Sequence, residues 1–182
     1  MRRMMIVAFS LAGACASGGA PPGAGGAASP AAIYTSPETG TLFADRPTVA
    51  TTTIGAAPAV VWNALKKAYA ELEIPVAVED AAAHQIGNTN IVKTRQLAGS
   101  SMSNWISCGS SVTGEKANEY RIYASLLTDA LPDAKGGTAL RTTLTASARD
   151  VEGGTTSRIA CTSTGRLEQA LFDRVNAAIA KG

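Results

Sequence analysis

The clearest periodicity in the chain lies between Thr138 and Arg149. Leu140, Leu144, Ala146 and Ala148 share one parity, and Arg141, Thr143, Thr145, Ser147 and Arg149 share the other. Strand side chains alternate between faces, so this pattern predicts a strand with one buried and one polar side. From Glu119 to Asp129, Tyr120, Ile122, Ala124 and Leu126 alternate with Arg121, Tyr123, Ser125 and Leu127. Apolar residues of both parities predict a central strand, partly covered on both sides. Thr48 to Ile54, rich in Thr and Val, predicts a further strand. Shorter strands are expected at Val76 to Glu79, about Ile86 to Lys93, and Ser157 to Cys161. Asp133-Ala-Lys-Gly-Gly and Asp150-Val-Glu-Gly-Gly have the composition of turns.

Two stretches carry helical spacing instead. Pro58 stands where a first helical residue is expected, and Val61, Leu65, Ala68 and Leu72 then build one apolar stripe flanked by Trp62 and Tyr69. Ile74-Pro75 ends that helix. The last helix has Leu167, Leu171, Val175 and Ala178 as its stripe, with Phe172 and Ile179 beside it. Ser163 or Thr164 is the expected cap, and Glu168 lies where the helix dipole favours a negative charge. The order is strand, helix, a run of strands joined by short turns, then helix. That order predicts an α+β fold, an antiparallel sheet of about six to seven strands covered on one face by two helices.

Composition narrows the function. The chain has 182 residues, enough for one domain or at most two. Sixteen Lys and Arg stand against fourteen Asp and Glu, and the excess of two is Arg2 and Arg3. Without those two the balance is fourteen against fourteen, so bulk positive charge does not drive nucleic-acid binding and no nucleic-acid partner is expected. The one histidine, His84, excludes a multi-histidine metal site within one chain.

Arg2 and Arg3 precede a short apolar run, Ile6 to Leu11, and then small residues up to Cys15. This is the layout of an export signal, too short in its apolar part to span a bilayer as a helix. Leu11-Ala12-Gly13-Ala14-Cys15 resembles the lipobox of bacterial lipoproteins, although Ala12 stands where Leu is usual. The resemblance implies lipidation of Cys15, which becomes the new N-terminus. It also implies sorting to the outer membrane, because Ala16 and not Asp follows the cysteine. Plain cleavage near Ala14 or Ala16, giving a secreted soluble protein, is the alternative. Residues 16–32 are drawn only from Ala, Gly, Ser and Pro, which cannot build a core. The expected organisation is a signal peptide at 1–14, the lipidated cysteine and a flexible linker at 15–46, and a single domain at 47–182.

The segment Ala57-Pro58-Ala59-Val60-Val61-Trp62-Asn63-Ala64-Leu65, after a Thr-rich strand, resembles helix-grip folds. It is also similar, more loosely, to the sheet-and-helix domains of BamC-like outer-membrane assembly lipoproteins. The likeness covers about residues 48–93 and the last helix, rests on element order, and assigns no functional residue.

With Cys15 lipidated, Cys108 and Cys161 remain, and an even pair in an exported protein favours a disulfide. Two other arrangements stay open: unpaired thiols, or a nucleophilic Cys108 with His84 as base. Gly109-Ser-Ser-Val-Thr-Gly114 has the glycine spacing of a phosphate loop, but Glu115 stands where lysine is required, so a polar turn is expected. Asp129 with Asp133, and Asp150 with Glu152, could offer oxygen to Ca²⁺, but their placement favours turns. Ser163-Thr164-Gly165 offers helix N-terminal N–H groups to an anion, with capping as the simpler role. The connection Thr94 to Asn104 is long for a compact domain and is the candidate binding loop, with Arg95, Leu97, Met102 and Trp105 as its residues.

No catalytic residue, metal ligand or cofactor is assigned. The expected function is a non-enzymatic, membrane-tethered envelope lipoprotein that binds or scaffolds another envelope component. A binding module for a small apolar ligand is the alternative, and an enzyme with residues not grouped by spacing is the third.

Overall fold

The structure is a computed structural model that describes residues 34–35, 42–43, 47–153 and 156–181. The expected export signal, Cys15 and most of the linker lie outside the described residues. In chain order the first elements are β1 (Tyr34–Thr35), β2 (Leu42–Phe43), β3 (Thr48–Ile54), α1 (Pro58–Glu71), β4 (Val78–Asp80) and β5 (Gln85–Thr94). Next come β6 (Gln96–Leu97), β7 (Ser100–Ser101), α2 (Met102–Trp105), β8 (Ile106–Ser107) and α3 (Lys116–Glu119). The last are β9 (Arg121–Pro132), β10 (Thr138–Arg149), β11 (Arg158–Ser163) and α4 (Arg166–Ala180). β1 pairs with β2 inside the span expected as linker.

The β9–β10 hairpin is the spine of the sheet. Its turn is held by Asp133, whose N–H donates to the Gly137 carbonyl at 2.9 Å and whose carbonyl accepts from Gly136 N–H at 3.0 Å. Gly136 supplies the positive φ, 86°, that this turn requires. Every residue of β10 then faces one of β9, from Thr138 opposite Pro132 to Arg149 opposite Arg121. On its other side β10 is shared. Thr138 to Leu144 pair with β3, and Ala146 to Arg149 pair with β11. Beyond β9 lie β5 and then β4, and β8 extends β11. The result is the expected α+β architecture, a seven-stranded antiparallel sheet with α1 and α4 packed together and against it.

Register explains which residues form the core. Ile122, Leu126 and Ala130 of β9 face Ala148, Leu144 and Leu140 of β10, and all six are at most 3% exposed. Over them lie the fully buried Val61, Leu65 and Ala68 of α1, and Leu167, Leu171 and Val175 of α4. Ala178, expected on the same α4 stripe, is only partly buried. α1 begins as expected, with Pro58 directly after the Ala57 cap.

One polar network crosses this core. The Tyr69 hydroxyl lies 2.9 Å from Thr128 Oγ1, which lies 3.2 Å from Thr142 Oγ1. It ties α1 to β9 and β10, and burial pushes the Tyr69 hydroxyl well above the usual tyrosine range.

β5 departs from simple alternation. Ile86 and Asn88 oppose Thr128 and Leu126, but Ile91 opposes Ala124, so the strand holds one extra residue between them. The Asn88 Oδ1 accepts from Asn90 N–H at 2.8 Å and stabilises this bulge. Ile86 and Ile91 differ in parity, yet both are buried and point to the helices, because the bulge shifts the pleat by one. A Cβ at Gly87 would stand 2.0 Å from the Leu126 carbonyl oxygen, so β5 approaches β9 there only without a side chain.

The start of α4 differs from expectation. β11 runs through Ser163, and the cap residue is Gly165 with φ 80° and no side-chain cap. The Ser163 hydroxyl accepts from Gly165 N–H at 2.9 Å and donates to Glu168 Oε1 at 2.6 Å. The extra strand residues are held by pairing with β8, which moves the helix start past both hydroxyl residues.

Candidate functional site

The segment expected as a polar loop is folded. β6 and β7 form a small hairpin, and α2 follows it directly. Met102 N–H donates to the Arg95 carbonyl at 2.7 Å, and Trp105 Nε1 donates to the Leu97 carbonyl at 2.6 Å. Leu97, Met102 and Trp105 are buried and belong to the core cluster, while Arg95 is exposed with φ 66°. Strands of two residues and a helix of four are too short to show a period, which is why this stretch reads as loop in the sequence.

A disulfide clips this bracket to the sheet. Cys108, just beyond β8, is bonded to Cys161 of β11, with their Cα atoms 4.3 Å apart. Beside it Thr162 and Ser163 pair with Ser107 and Ile106, and Thr164 N–H donates to the Trp105 carbonyl at 2.9 Å. The bond indicates an oxidising, extracytoplasmic location. It also occupies the thiol that a Cys108–His84 pair would need. His84 instead packs against Trp62, with ring centroids 5.8 Å apart, and its carbonyl accepts from Ala130 N–H.

The other motifs serve the backbone or each other. Ser110 and Glu115 close the Gly109 to Gly114 turn, and the Ser111 hydroxyl donates to Glu119 at 2.7 Å. Asp150 accepts from Glu152 and Gly153 N–H groups and shapes its turn. Asp133 does the same for Lys135. β9 runs to Pro132, so Asp129 lies inside the strand and not at the turn. Asp129 is 6% exposed, and its carboxylate accepts from Gln85 Nε2 at 2.6 Å and from Arg141 at 2.7 and 3.0 Å. Among the described residues no three His, Cys, Asp or Glu side chains converge as a metal site.

Asp129 and Arg141 belong to the sheet face turned away from α1 and α4. Residues opposite each other in an antiparallel pair share a face, so the register defines rows across it. Gln85, Asp129, Arg141 and Thr51 form the row at one end, and its charges are matched. At the other end Thr94, Arg121, Arg149 and Arg158 form a row with three arginines side by side. Arg95 follows Thr94 in the chain, so the one exposed member of the candidate loop stands at the end of this row.

The next row holds Val92, Tyr123, Ser147 and Ala160. The Arg158 guanidinium lies 3.7 Å from the Tyr123 ring centroid, and that of Arg149 lies 5.6 Å from it. Arg158 and Tyr123 are two strands apart, so their contact lies across Ser147, which is 2% exposed. Thr145, one row further, is 3% exposed, and neither its hydroxyl nor that of Tyr123 has a hydrogen-bond partner among the described residues. Spacing within the sequence does not group these residues. The signal that would have found two of them is the hairpin: Arg121 and Arg149 are equidistant from the Asp133 to Gly137 turn.

No protein-family model matches the chain, and no curated protein matches its sequence.

Proposed function

We propose that this protein is a non-enzymatic, membrane-tethered lipoprotein of the cell envelope whose domain binds or scaffolds another envelope component. The Cys108–Cys161 disulfide carries the reading, because it belongs to an oxidising compartment and the chain that precedes it has the layout of an export signal ending at Cys15. A lipid on Cys15 would hold the domain close to one membrane face. Ala16 favours the outer membrane where the cell has one. The helix-grip and BamC-like element order agrees with a sheet that presents one broad face to a partner. Recognition is assigned to the face turned away from the helices, which carries the Asp129–Arg141 row at one end and Arg121 and Arg149 at the other.

The test is the mass of the protein extracted from its own membrane in mild detergent. The denatured mass is expected to show the acyl groups on a chain starting at Cys15 and a two-hydrogen deficit for the disulfide. The native spectrum is expected to show a co-eluting envelope protein. An unmodified chain recovered from the soluble fraction would overturn the tether, and a bound apolar molecule of a few hundred daltons in place of a protein would favour the ligand module.

A further inference from the structure

The middle of the sheet face turned away from α1 and α4 is uncharged. Between the Asp129–Arg141 row and the arginine row lie Leu127, Thr143 and Val49, then Ser125 and Thr145, then Val92, Tyr123, Ser147 and Ala160. Along β9 the small Ser125 stands between the larger Tyr123 and Leu127, so the middle of the strip is lower than its flanks. The helices lie on the other side of the sheet, yet Ser125 is 5% exposed and Thr145 3%. The contact of Arg158 with Tyr123 closes over Ser147, one row away, and does not account for the burial of these two. Ser125 has an interaction partner and is not free.

The path of the chain points to what covers them. β3 pairs with β10 as far as Thr48 opposite Leu144, and β11 takes over with Cys161 opposite Ala146. Thr145 stands in the gap between the two, so the chain that enters β3 arrives beside Thr145. It does not come along β10, whose next positions β11 holds. Nor does it come from the helix side, where Leu144 and Ala146 are each 3% exposed. The open approach is across the far face. Between Ala16 and Arg46 the large apolar side chains are Ile33, Tyr34, Leu42 and Phe43. The register of β1 and β2 sets Tyr34 opposite Phe43, which places both aromatic residues on one face of the hairpin. A two-stranded hairpin is marginal in water by itself and needs a surface to pack on.

We infer that the β1–β2 hairpin docks on the middle of the far face, with Tyr34 and Phe43 over Ser125 and Thr145. An uncharged strip receives an aromatic face without burying an unpaired charge, and both surfaces leave water. The docked hairpin leaves the two charged ends of the face open. The span between Cys15 and the domain is then residues 16–32, because the domain begins at the hairpin and not at β3. The docking depends neither on acylation of Cys15 nor on an envelope partner, so it and the proposed function fail separately.

The test uses the full exported chain carrying Cys15→Ser, as an equal mixture of isotope-labelled and unlabelled molecules. Nuclear Overhauser contacts are expected from the Tyr34 and Phe43 ring protons to the methyl groups of Thr145 and Leu127, within single chains. Proteinase K is expected to cut between residues 33 and 46 at least tenfold more slowly than between residues 16 and 32. Tyr34→Ser with Phe43→Ser is expected to remove that protection and to shift the amide signals of Ser125 and Thr145, while those of Leu65 and Leu171 stay in place. Both substitutions lie outside the seven-stranded sheet, which is expected to keep its fold. Ring contacts to the helices in place of the far face overturn the docking. An absence of ring contacts also overturns it and leaves the strip to an external partner. Contacts found only between labelled and unlabelled chains overturn it in favour of a second copy's hairpin. Protection that the double variant keeps overturns it as well.

Discussion

β9 and β10 present two faces to two different environments. On the helix side, Leu126 opposite Leu144 and Ala130 opposite Leu140 are closed over by α1 and α4. The polar groups admitted there, Tyr69, Thr128 and Thr142, bond to one another. On the far side the same strands carry a matched charge row at one end and, at the other, Arg121 opposite Arg149, with Arg158 of β11 beside them. Packing accounts for the first face, since its leucines are taken from water. It does not account for the second, where Arg121 and Arg149 stand directly opposite each other across the hairpin and work against its pairing.

Removing the disulfide would break that contrast most deeply, because β11 supplies both Cys161 and Arg158. Cys108→Ser with Cys161→Ser opens a loop with a sequence separation of 53 residues, and a loss of about 4 kcal/mol is expected on the chain-entropy account. Urea unfolding with and without reductant measures it. An unchanged midpoint would show that β8–β11 pairing and the Thr164 hydrogen bonds suffice alone.

Neighbouring leucines sharpen the same contrast within one strand. Leu126 is fully buried towards the helices, and Leu127 is half-buried on the far face. Leu126→Ala is expected to cost about 3 kcal/mol and Leu127→Ala less than about 1 kcal/mol. Equal losses in denaturant melts would make the far face a second core and remove the distinction.

The smallest effect concerns the polar network on the helix side. Tyr69→Phe removes the hydroxyl that meets Thr128 and should cost about 1 kcal/mol at neutral pH. Burial raises the Tyr69 pKa in the folded state. Above about pH 10 the unfolded chain therefore releases that proton while the native chain keeps it, and stability falls as pH rises. Tyr69→Phe is expected to flatten that alkaline decline, measured as the denaturation midpoint between about pH 9 and 11. An identical slope would place the buried titration elsewhere.

Several parts of this architecture were legible in the sequence. The alternation from Thr138 to Arg149 predicts β10 with the bounds it has, and the apolar stripes predict the buried faces of α1 and α4. The pairing of Cys108 with Cys161 is the arrangement expected once Cys15 is set aside as the candidate for lipidation. The stretch from Gln96 to Ser107 was harder, because its elements are shorter than any period, and three of its four candidate residues went into the core. Parity misleads at Ile86 and Ile91, where one bulged residue turns two oddly spaced side chains to the same face.

Local spacing thus determined by itself which side of β10, α1 and α4 is apolar, because that depends only on the repeat of a single element. Hydrophobic periodicity and turn composition were enough for the α+β class. Tertiary structure decided which rows of side chains meet across strands. Arg121, Arg149 and Arg158 come together because a hairpin register aligns the first two and a second register, shared between β3 and β11 along β10, adds the third. Such convergence depends on pairings between distant residues, and no single stretch of the chain encodes it.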